Sequence, residues 1–488
     1  MLKMPLIRGG VHPDARKDQS AALPIQTALP LPERLYLPLY QQAKVEGRPL
    51  VKTGDHVLKG QCIISASGTL SAAVHAPTSG KILGIEEIPA PHPSGLKSAA
   101  LILGSDGDDR WVDRLLPGDP LDTDPELLAG LVEQAGIVGM GGAIFPAAVK
   151  LRQGRRFEIR TLLINGGECE PYLSTDDRLM RERAEEIVDG VRIIRHIIEA
   201  YRAVICIEDN KPEAIAAIRK ASEPYGSIEV VVVPAVYPMG SAKQMIQAVT
   251  GLEVPAGRRS NDLGVLVHNV GTVYAIQQAL RHGRPLISRI TTVSGGCVAQ
   301  PQNVEALIGT PVSHLLDNCG GLSEQPARLL MGGPMMGQLL SSPQAPLIKG
   351  GSAVLALSQA EVNARRPEPC IRCGRCVDAC PMGLVPLEMA KHTKVDDFDG
   401  AQQYGLKDCI LCASCAYVCP SHIPLVQYFE YAKGELAQRR DGEQKLSYTQ
   451  RLTQARTERM EREAAAKAAK KKKRRSRDTV KTEEASDA

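Results

Sequence analysis

The sequence predicts a multidomain chain of mixed α/β and α+β class. It combines a small N-terminal β-sandwich, a parallel α/β domain, a small α+β domain, a cysteine-rich segment of short helices, and a basic tail. Three observations predict this. Short apolar runs broken by turn residues fill the chain up to about Leu103. Strand-like and helix-like patterns alternate from about Asp122 to about His282. Two cysteine runs of identical spacing lie near the C-terminal end. At 488 residues the chain has room for about three or four domains of ~150 residues.

Residues 1–34 are punctuated by proline and glycine, with Gly9-Gly10-Val11-His12-Pro13 at their head, and read as an extended arm. Residues 35–121 form the β-sandwich: Val51 to Gln61 and Val74 to Ile82 are both strand–turn–strand signals. Their half-motifs resemble the biotinyl/lipoyl, or barrel-sandwich hybrid, type of domain. Ser67-Gly68-Thr69-Leu70 stands where the modified lysine would be flanked by methionines, so the reading is a structural or docking module. Residues 122–285 alternate strand and helix. Thr161 to Ile164, Ala203 to Ile207, Ile228 to Val233 and Gly264 to His268 read as short buried strands. Ser174 to Asp177 supply a helix cap and acidic first turn. A helix follows with apolar residues at Ile187, Val191, Ile194, Ile197 and Ile198, and the whole is Rossmann-like. Residues 286–358 return to short strands between glycine pairs, with one short helical stretch between Asn303 and Leu316. Residues 359–440 hold the cysteine runs. Residues 441–488 are polar and helix-prone, with Lys467, Lys470 to Lys473, Arg474, Arg475 and Arg477 in an alanine-rich setting.

Composition excludes several function classes. The chain is 43% hydrophobic and 23% charged, ordinary for a globular protein. No run approaches the ~18–20 apolar residues that cross a bilayer, and Met1-Leu2-Lys3-Met4-Pro5 opens no signal-peptide core. A reducing, cytoplasmic compartment is expected. The net charge of +4 is small and its basic part is concentrated in the tail. That tail reads as a solvated segment, or as a contact for anionic lipid headgroups or an acidic partner. Nucleic acid is not expected, since the run carries no aromatic platform for base stacking.

The chemistry lies first in the cysteines. Cys370, Cys373, Cys376 and Cys380 precede Pro381; Cys409, Cys412, Cys415 and Cys419 precede Pro420. Each run is C-x2-C-x2-C-x3-C-P, the spacing with which two-cluster ferredoxins hold a pair of [4Fe–4S] clusters. Three cysteines of a run close on one cluster, and the fourth reaches the other. Cluster 1 is therefore assigned to Cys370, Cys373, Cys376 and Cys419, and cluster 2 to Cys409, Cys412, Cys415 and Cys380. Zinc favours two separated CxxC pairs rather than two runs of four. The offset between the runs is a constant 39 residues, a duplicated cluster-binding unit.

A second site lies upstream. Gly139-Met140-Gly141-Gly142-Ala143-Ile144-Phe145-Pro146, followed by Lys150, is glycine-rich enough for backbone N–H groups to approach a phosphate. It is not a Walker motif. Directly after a buried strand comes Asn165-Gly166-Gly167-Glu168-Cys169-Glu170-Pro171-Tyr172. Asn165 can donate and accept to an isoalloxazine edge, and Glu168 and Glu170 can meet ribose hydroxyls; the same residues would equally serve a capped strand–turn–helix junction with solvated acids. Tyr237-Pro238-Met239-Gly240-Ser241-Ala242-Lys243-Gln244 and His268-Asn269-Val270-Gly271-Thr272 are two further loops.

The order of these loops, then an α+β domain, then two cysteine runs resembles the C subunit of the Rnf (Rsx) electron-transport complex, over the chain to about residue 440. The middle domain more distantly resembles the NADH-binding flavoprotein subunit of respiratory complex I. The resemblance implies a Rossmann-like domain with non-covalent FMN reduced by NADH, a β-grasp (soluble-ligand-binding) domain, and a two-cluster ferredoxin-type domain. It implies FMN contacts at Gly139, Gly141, Gly142, Lys150, Asn165 and Asn269, a nicotinamide-stacking aromatic at Phe145, acids near flavin and NADH at Glu168 and Glu170, and a flavin-side loop at Tyr237 and Gly240. The pattern departs at Gly167, Ser241 and Ala242, where complex I flavoproteins carry acids. No side chain is assigned as a general acid or base.

The expected function is that of a peripheral electron-input subunit of an ion-translocating oxidoreductase at the cytoplasmic face of a bacterial inner membrane. Electrons from NADH pass through FMN and two [4Fe–4S] clusters to integral and peripheral partner subunits. The alternative is a cluster-bearing wire or docking subunit without NADH oxidation of its own. Deleting residues from Ala464 onward should leave flavin and both clusters in place. Loss of either cofactor from the truncated protein, by absorbance and iron content, would make the tail part of the fold.

Overall fold

The computed structural model describes residues 8–40, 46–90, 94–114, 116, 118–362 and 365–484, the last helix from residue 472 onward by its backbone alone. The readings of Met1 to Pro5 and of the side chains of Lys472, Lys473, Arg474, Arg475 and Arg477 lie outside the described residues. The chain divides into two units, residues 1–387 with 408–425, and residues 388–407 with 426–488.

The first unit opens with the arm, which carries one short helix, α1 (Asp18–Ala22). The β-sandwich follows: β1 (Arg34–Pro38), β2 (Arg48–Pro49), β3 (His56–Val57), β4 (Cys62–Ser65), β5 (Val74–His75), β6 (Gly80–Pro89) and β7 (Lys97–Ser105). One antiparallel sheet runs β1-β7-β6-β3 and a second β2-β4-β5. Leu35, Leu37, Ile63, Ile64, Ile82, Leu101 and Leu103, drawn from both sheets, are fully buried in one apolar core. Alternation of buried and exposed residues at the start of β6 reflects a sheet with only one face covered.

The α/β domain comprises α2 (Pro125–Gln134), α3 (Ala147–Arg156), β8 (Thr161–Gly166), α4 (Thr175–Glu182), α5 (Ala184–Ile198), β9 (Arg202–Glu208), α6 (Pro212–Ser222), β10 (Ile228–Val233), α7 (Ala242–Thr250), β11 (Val265–Asn269) and α8 (Val270–His282). Asp124 caps α2 through its Oδ1, which accepts from the N–H groups of Glu126 and Leu127 at 3.0 Å. The sheet is wholly parallel in the order β10-β9-β8-β11. All six residues of β8 are buried, as a central strand covered on both faces requires. The apolar positions predicted from Ile187 to Ile198 all lie inward on α5. The helix expected to run on from Ser174 is two helices, broken at Arg183, whose φ of −133° and ψ of 34° leave the helical region.

Next come β12 (Ser288–Ser294), β13 (Gln302–Leu307), α9 (Val312–Asn318), β14 (Arg328–Met331), β15 (Gln338–Leu339) and β16 (Ala353–Leu357), in one sheet ordered β13-β12-β16-β14-β15. The short helix expected within Asn303 to Leu316 occupies only the end of that stretch. Its start is β13, because Val304 and Ala306 are buried alternately against β12 and Asn303 reaches across to the arm, its Nδ2 donating to Ser20 O at 2.9 Å.

The cysteine runs carry α10 (Arg375–Asp378), α11 (Pro386–Thr393), α12 (Phe398–Gln403), α13 (Ser414–Tyr417) and α14 (Leu425–Glu484). In the second unit Met389, Phe398 and Phe429 are buried, Tyr431 packs edge-on to Phe398, and its hydroxyl donates to Asp396 at 3.1 Å. From residue 442 to 471 the side chains of α14 are exposed. Among the described residues no helix is long and apolar enough to cross a membrane.

Lys349 joins three parts of the first unit. Its side chain is fully buried, and Nζ donates to Ala73 O in the β-sandwich at 2.5 Å and to Gly136 O after α2 at 2.6 Å. Burial pushes its pKa down to about 7 from an ordinary 10.5. Below pH 7 folding carries the full penalty of the buried charge, and that penalty fades as pH rises towards 10.5, so this group makes stability climb across that window. Lys349→Met should cost ~2 kcal/mol, because the buried Gly136 carbonyl and the half-buried Ala73 carbonyl lose their donor. The variant should also show a shallower rise of stability between pH 7 and 10 in denaturant titrations. An unchanged slope would mean that Lys349 titrates as an ordinary lysine.

Candidate functional site

The chain leaves β8 towards β9 and β10, then returns to lay β11 on the opposite flank of β8. Between β8 and β11 the strand order reverses, and a crevice at the carboxyl ends of two such strands is where open α/β sheets bind ligands. Asn165 and Asn269 end these strands and lie opposite each other in register. Asn165 Oδ1 accepts from Gly167 N–H at 2.9 Å and its Nδ2 donates to Gly240 O at 2.8 Å, tying two loops together. Asn269 caps α8: Oδ1 accepts from Gly271 N–H at 2.9 Å, while Nδ2 donates to Asp176 Oδ2 at 2.7 Å.

The glycine-rich loop borders the same crevice. Gly139 N–H donates to Phe145 O at 2.7 Å, and Met140 N–H to Thr272 Oγ1 at 2.9 Å. Gly141 and Gly142 are exposed, and Gly142, at φ +93°, has open space where a side chain would stand. Phe145 is half-buried. Lys150 donates from Nζ to Val267 O at 2.9 Å, and burial lowers its pKa. The crevice thus presents glycine backbone and the N-terminus of α8. These are donors suited to a phosphorylated flavin.

The two glutamates take different places. Glu168 is buried and serves as the cap of α4: Oε1 accepts from Thr175 Oγ1 at 2.8 Å and Asp176 N–H at 3.0 Å, and Oε2 from Asp177 N–H at 3.3 Å. Ser174, which the sequence offers as that cap, instead meets Ser20 Oγ at 2.8 Å. Glu170 Oε2 accepts from Met335 N–H at 3.0 Å, while Oε1 is buried without a hydrogen-bond partner among the described residues. Burial pushes the pKa of Glu170 up to about 7. Burial and the nearby charge of Glu168 push Asp176 up to about 7 as well. Tyr237 is buried beside Glu170, and its hydroxyl donates to Cys412 O at 2.8 Å. Ala242 opens α7, and Lys243 lies 3.8 Å from Asp408.

The two cysteine runs repeat in backbone as well as in sequence. Arg372 and Leu411, Gly374 and Ala413, and Gly383 and His422 are pairs 39 residues apart, and all six have left-handed φ between 49° and 81°. Such a conformation costs a non-glycine residue roughly 1–2 kcal/mol, so something must hold these turns. Helices α10 and α13 repeat at the same offset and lie against each other. Thiols of the two runs lie close together: Cys376 is near Cys419 and Cys370, Cys412 near Cys380, and Cys415 near Cys409, Cys412, Cys380 and Cys376, and burial is the first cause that raises the pKa of Cys376, Cys412 and Cys415. Among the described residues no three His, Cys, Asp or Glu side chains converge on a point that a single metal ion would fill. A four-iron cubane spreads its thiolates more widely than one ion does.

Sequence reasoning gave no role to the arm, which runs over this region. Lys17 Nζ donates to Glu168 O, Tyr172 N–H to Ala15 O at 2.8 Å, and Val11 and Tyr237 exchange backbone hydrogen bonds of 2.8 and 3.0 Å. Its only sequence signal is the Gly9-Gly10 pair.

Domain families match along the chain in the same order: the RnfC barrel sandwich hybrid domain over residues 6–108, the Nuo51 FMN-binding domain over 132–278, the SLBB domain over 290–339, and a 4Fe-4S dicluster domain over 369–423. A solved chain of an NAD+-reducing [NiFe]-hydrogenase overlays 65% of this chain and 61% of its own, at 20% identity and a TM-score of 0.45. The C subunit of the ion-translocating oxidoreductase complex of Rhodobacter capsulatus is 46% identical over 434 residues, 89% of this chain and 83% of that protein. The protein of the same name from Haemophilus influenzae strain PittEE is 43% identical over 459 residues, 93% and 70% of the two chains. With identity of that order across most of both sequences, and an FMN-binding domain and an iron–sulfur dicluster domain in one chain, the protein belongs to the family of the C subunits of ion-translocating oxidoreductase complexes.

Proposed function

We propose that this subunit takes electrons from NADH through non-covalent FMN and passes them singly through two [4Fe–4S] clusters to partner subunits. The observation that carries this is the Tyr237 hydroxyl donating to Cys412 O at 2.8 Å, which joins the crevice loops to the cysteine turns. Bound FMN would supply the exchange between a two-electron donor and one-electron carriers. Gly139, Gly141 and Gly142 give it backbone donors, Lys150 and the N-terminus of α8 a positive end, and Asn165 and Asn269 fix the loops around it. Phe145 covers the nicotinamide side, and Glu170, Tyr237 and Gly240 close the crevice towards the cysteines. Glu168 acts by holding α4. Cys370, Cys373, Cys376 and Cys419 hold one cluster, and Cys409, Cys412, Cys415 and Cys380 the other.

The domain extents read from the sequence belong to the same proposal. So does docking onto integral subunits at the cytoplasmic face of the inner membrane, with the exposed Lys467, Lys470 and Lys471 of α14 beside anionic headgroups. A second reading, a wire or docking subunit without NADH oxidation, is favoured by Ala242 and by the engagement of both Glu168 oxygens in capping.

Anaerobic purification should yield about one FMN and, for two cubanes, about eight irons per chain. NADH added anaerobically should bleach the flavin within seconds; no bleaching at saturating NADH would favour the second reading. Cys380→Ala should abolish the EPR signal of the cluster shared with Cys409, Cys412 and Cys415 and spare the other. Loss of the cluster beside it in sequence would overturn the ligand assignment.

A further inference from the structure

The two cysteine sets are not placed alike. Cys380, Cys412 and Cys415 are buried and Cys409 is half-buried. In the other set Cys370 and Cys373 are exposed, and Cys376 and Cys419 half-buried. Ile371, beside Cys370, is 68% exposed. The residues between the cysteines differ in the same sense. Leu411 and Ser414 flank the buried set where Arg372 and Arg375 flank the exposed one.

Among the described residues, two hydrogen bonds from the crevice loops to the cysteine turns fall beside the buried set. Tyr237 reaches Cys412 O, and Gln244 Nε2 donates to Pro381 O at 3.4 Å. The arm completes the joint. Gly10 N–H donates to Ala379 O at 3.0 Å, next to Cys380, while the following residue, Val11, pairs with Tyr237 on the crevice side. Gly9 and Gly10 have φ of +67° and +89°. A Cβ on Gly9 would stand 2.7 Å from Cys380 O, and one on Gly10 2.6 Å from Val236 Cγ1 and 2.9 Å from Tyr237 O. Only glycine threads this gap without moving one wall or the other.

Resting on the proposed flavin-and-cluster reading, we infer that the cluster of Cys380, Cys409, Cys412 and Cys415 receives electrons first and that the exposed cluster of Cys370, Cys373, Cys376 and Cys419 is the exit. Gly9, Gly10 and Tyr237 are positioning residues that set the gap between the crevice and the first cluster. The charges agree with that direction. Burial among apolar groups disfavours the extra electron on the first cluster, while exposure and two guanidiniums favour it on the second. With FMN and both clusters bound, each passage would move one electron through the buried cluster to the exposed one, and two passages would account for the electron pair of a fully reduced flavin, its protons going to solvent.

The test compares the holoprotein with Cys373→Ala and Cys415→Ala, mixed anaerobically with NADH, following flavin absorbance and, by freeze-quench EPR, the clusters. In Cys373→Ala the remaining buried cluster should be reduced as fast as in the parent. In Cys415→Ala the exposed cluster, still reducible by dithionite, should be reduced at least a hundredfold more slowly than in the parent once the flavin has bleached. Prompt reduction of the exposed cluster in Cys415→Ala overturns the order. If Cys415→Ala loses both clusters, Gly9→Val decides with all ligands intact. Both clusters should then be reduced at least tenfold more slowly, with flavin bleaching and iron content unchanged; an unaltered rate overturns the positioning role. Should NADH fail to bleach the parent's flavin, the NADH reading falls. The order is then tested by the same comparison with the flavin photoreduced by light and EDTA.

Discussion

The return of β11 to the far side of β8 is the constraint on which the rest of the site depends. It places Asn165 and Asn269 in register at the ends of two adjacent parallel strands, and it opens the crevice between them. Two loops of the site are tied to that edge. The amide of Asn165 holds the Gly240 loop, and the amide of Asn269 starts α8 and holds Asp176. Had β11 joined the sheet beside β10, the two asparagines would sit at opposite edges and the glycine-rich loop would face neither.

Within this frame the acids divide their work by burial. Glu168 caps the N-terminus of α4, its two oxygens accepting from three donors. Glu170 lies against Met335 N–H and beside Tyr237, and burial raises its pKa to about 7. A carboxyl that changes charge near pH 7 beside Tyr237 is an unusual neighbour for a simple structural turn.

Much of this was legible along the chain. Four apolar runs gave the four parallel strands, the period from Ile187 to Ile198 gave the inward face of α5, and the 39-residue offset gave two turns that the backbone repeats at Arg372 and Leu411. These are local properties: side-chain periodicity and fixed covalent spacing act within one segment. The partial readings share one cause. Ser174 stands at the N-cap of α4, but its hydroxyl is taken by Ser20 and Asn303, residues far off in the chain, and Glu168 does the capping. The short helix expected between Asn303 and Leu316 forms only from Val312, because β12 pairs with Gln302–Leu307.

The sequence by itself determined the candidate residues: eight cysteines in two runs of ferredoxin spacing, and glycine, asparagine and lysine at the loops of a parallel sheet. Only the tertiary structure decided how those parts face one another. It buried one cysteine set and exposed the other, threaded Gly9 and Gly10 between Tyr237 and Cys380, and sank Lys349 between three elements. The physical reason is range. Metal spacing and strand periodicity are set by bonds a few residues apart. Burial and the meeting of the arm with residues more than two hundred positions away arise only when the whole chain has packed.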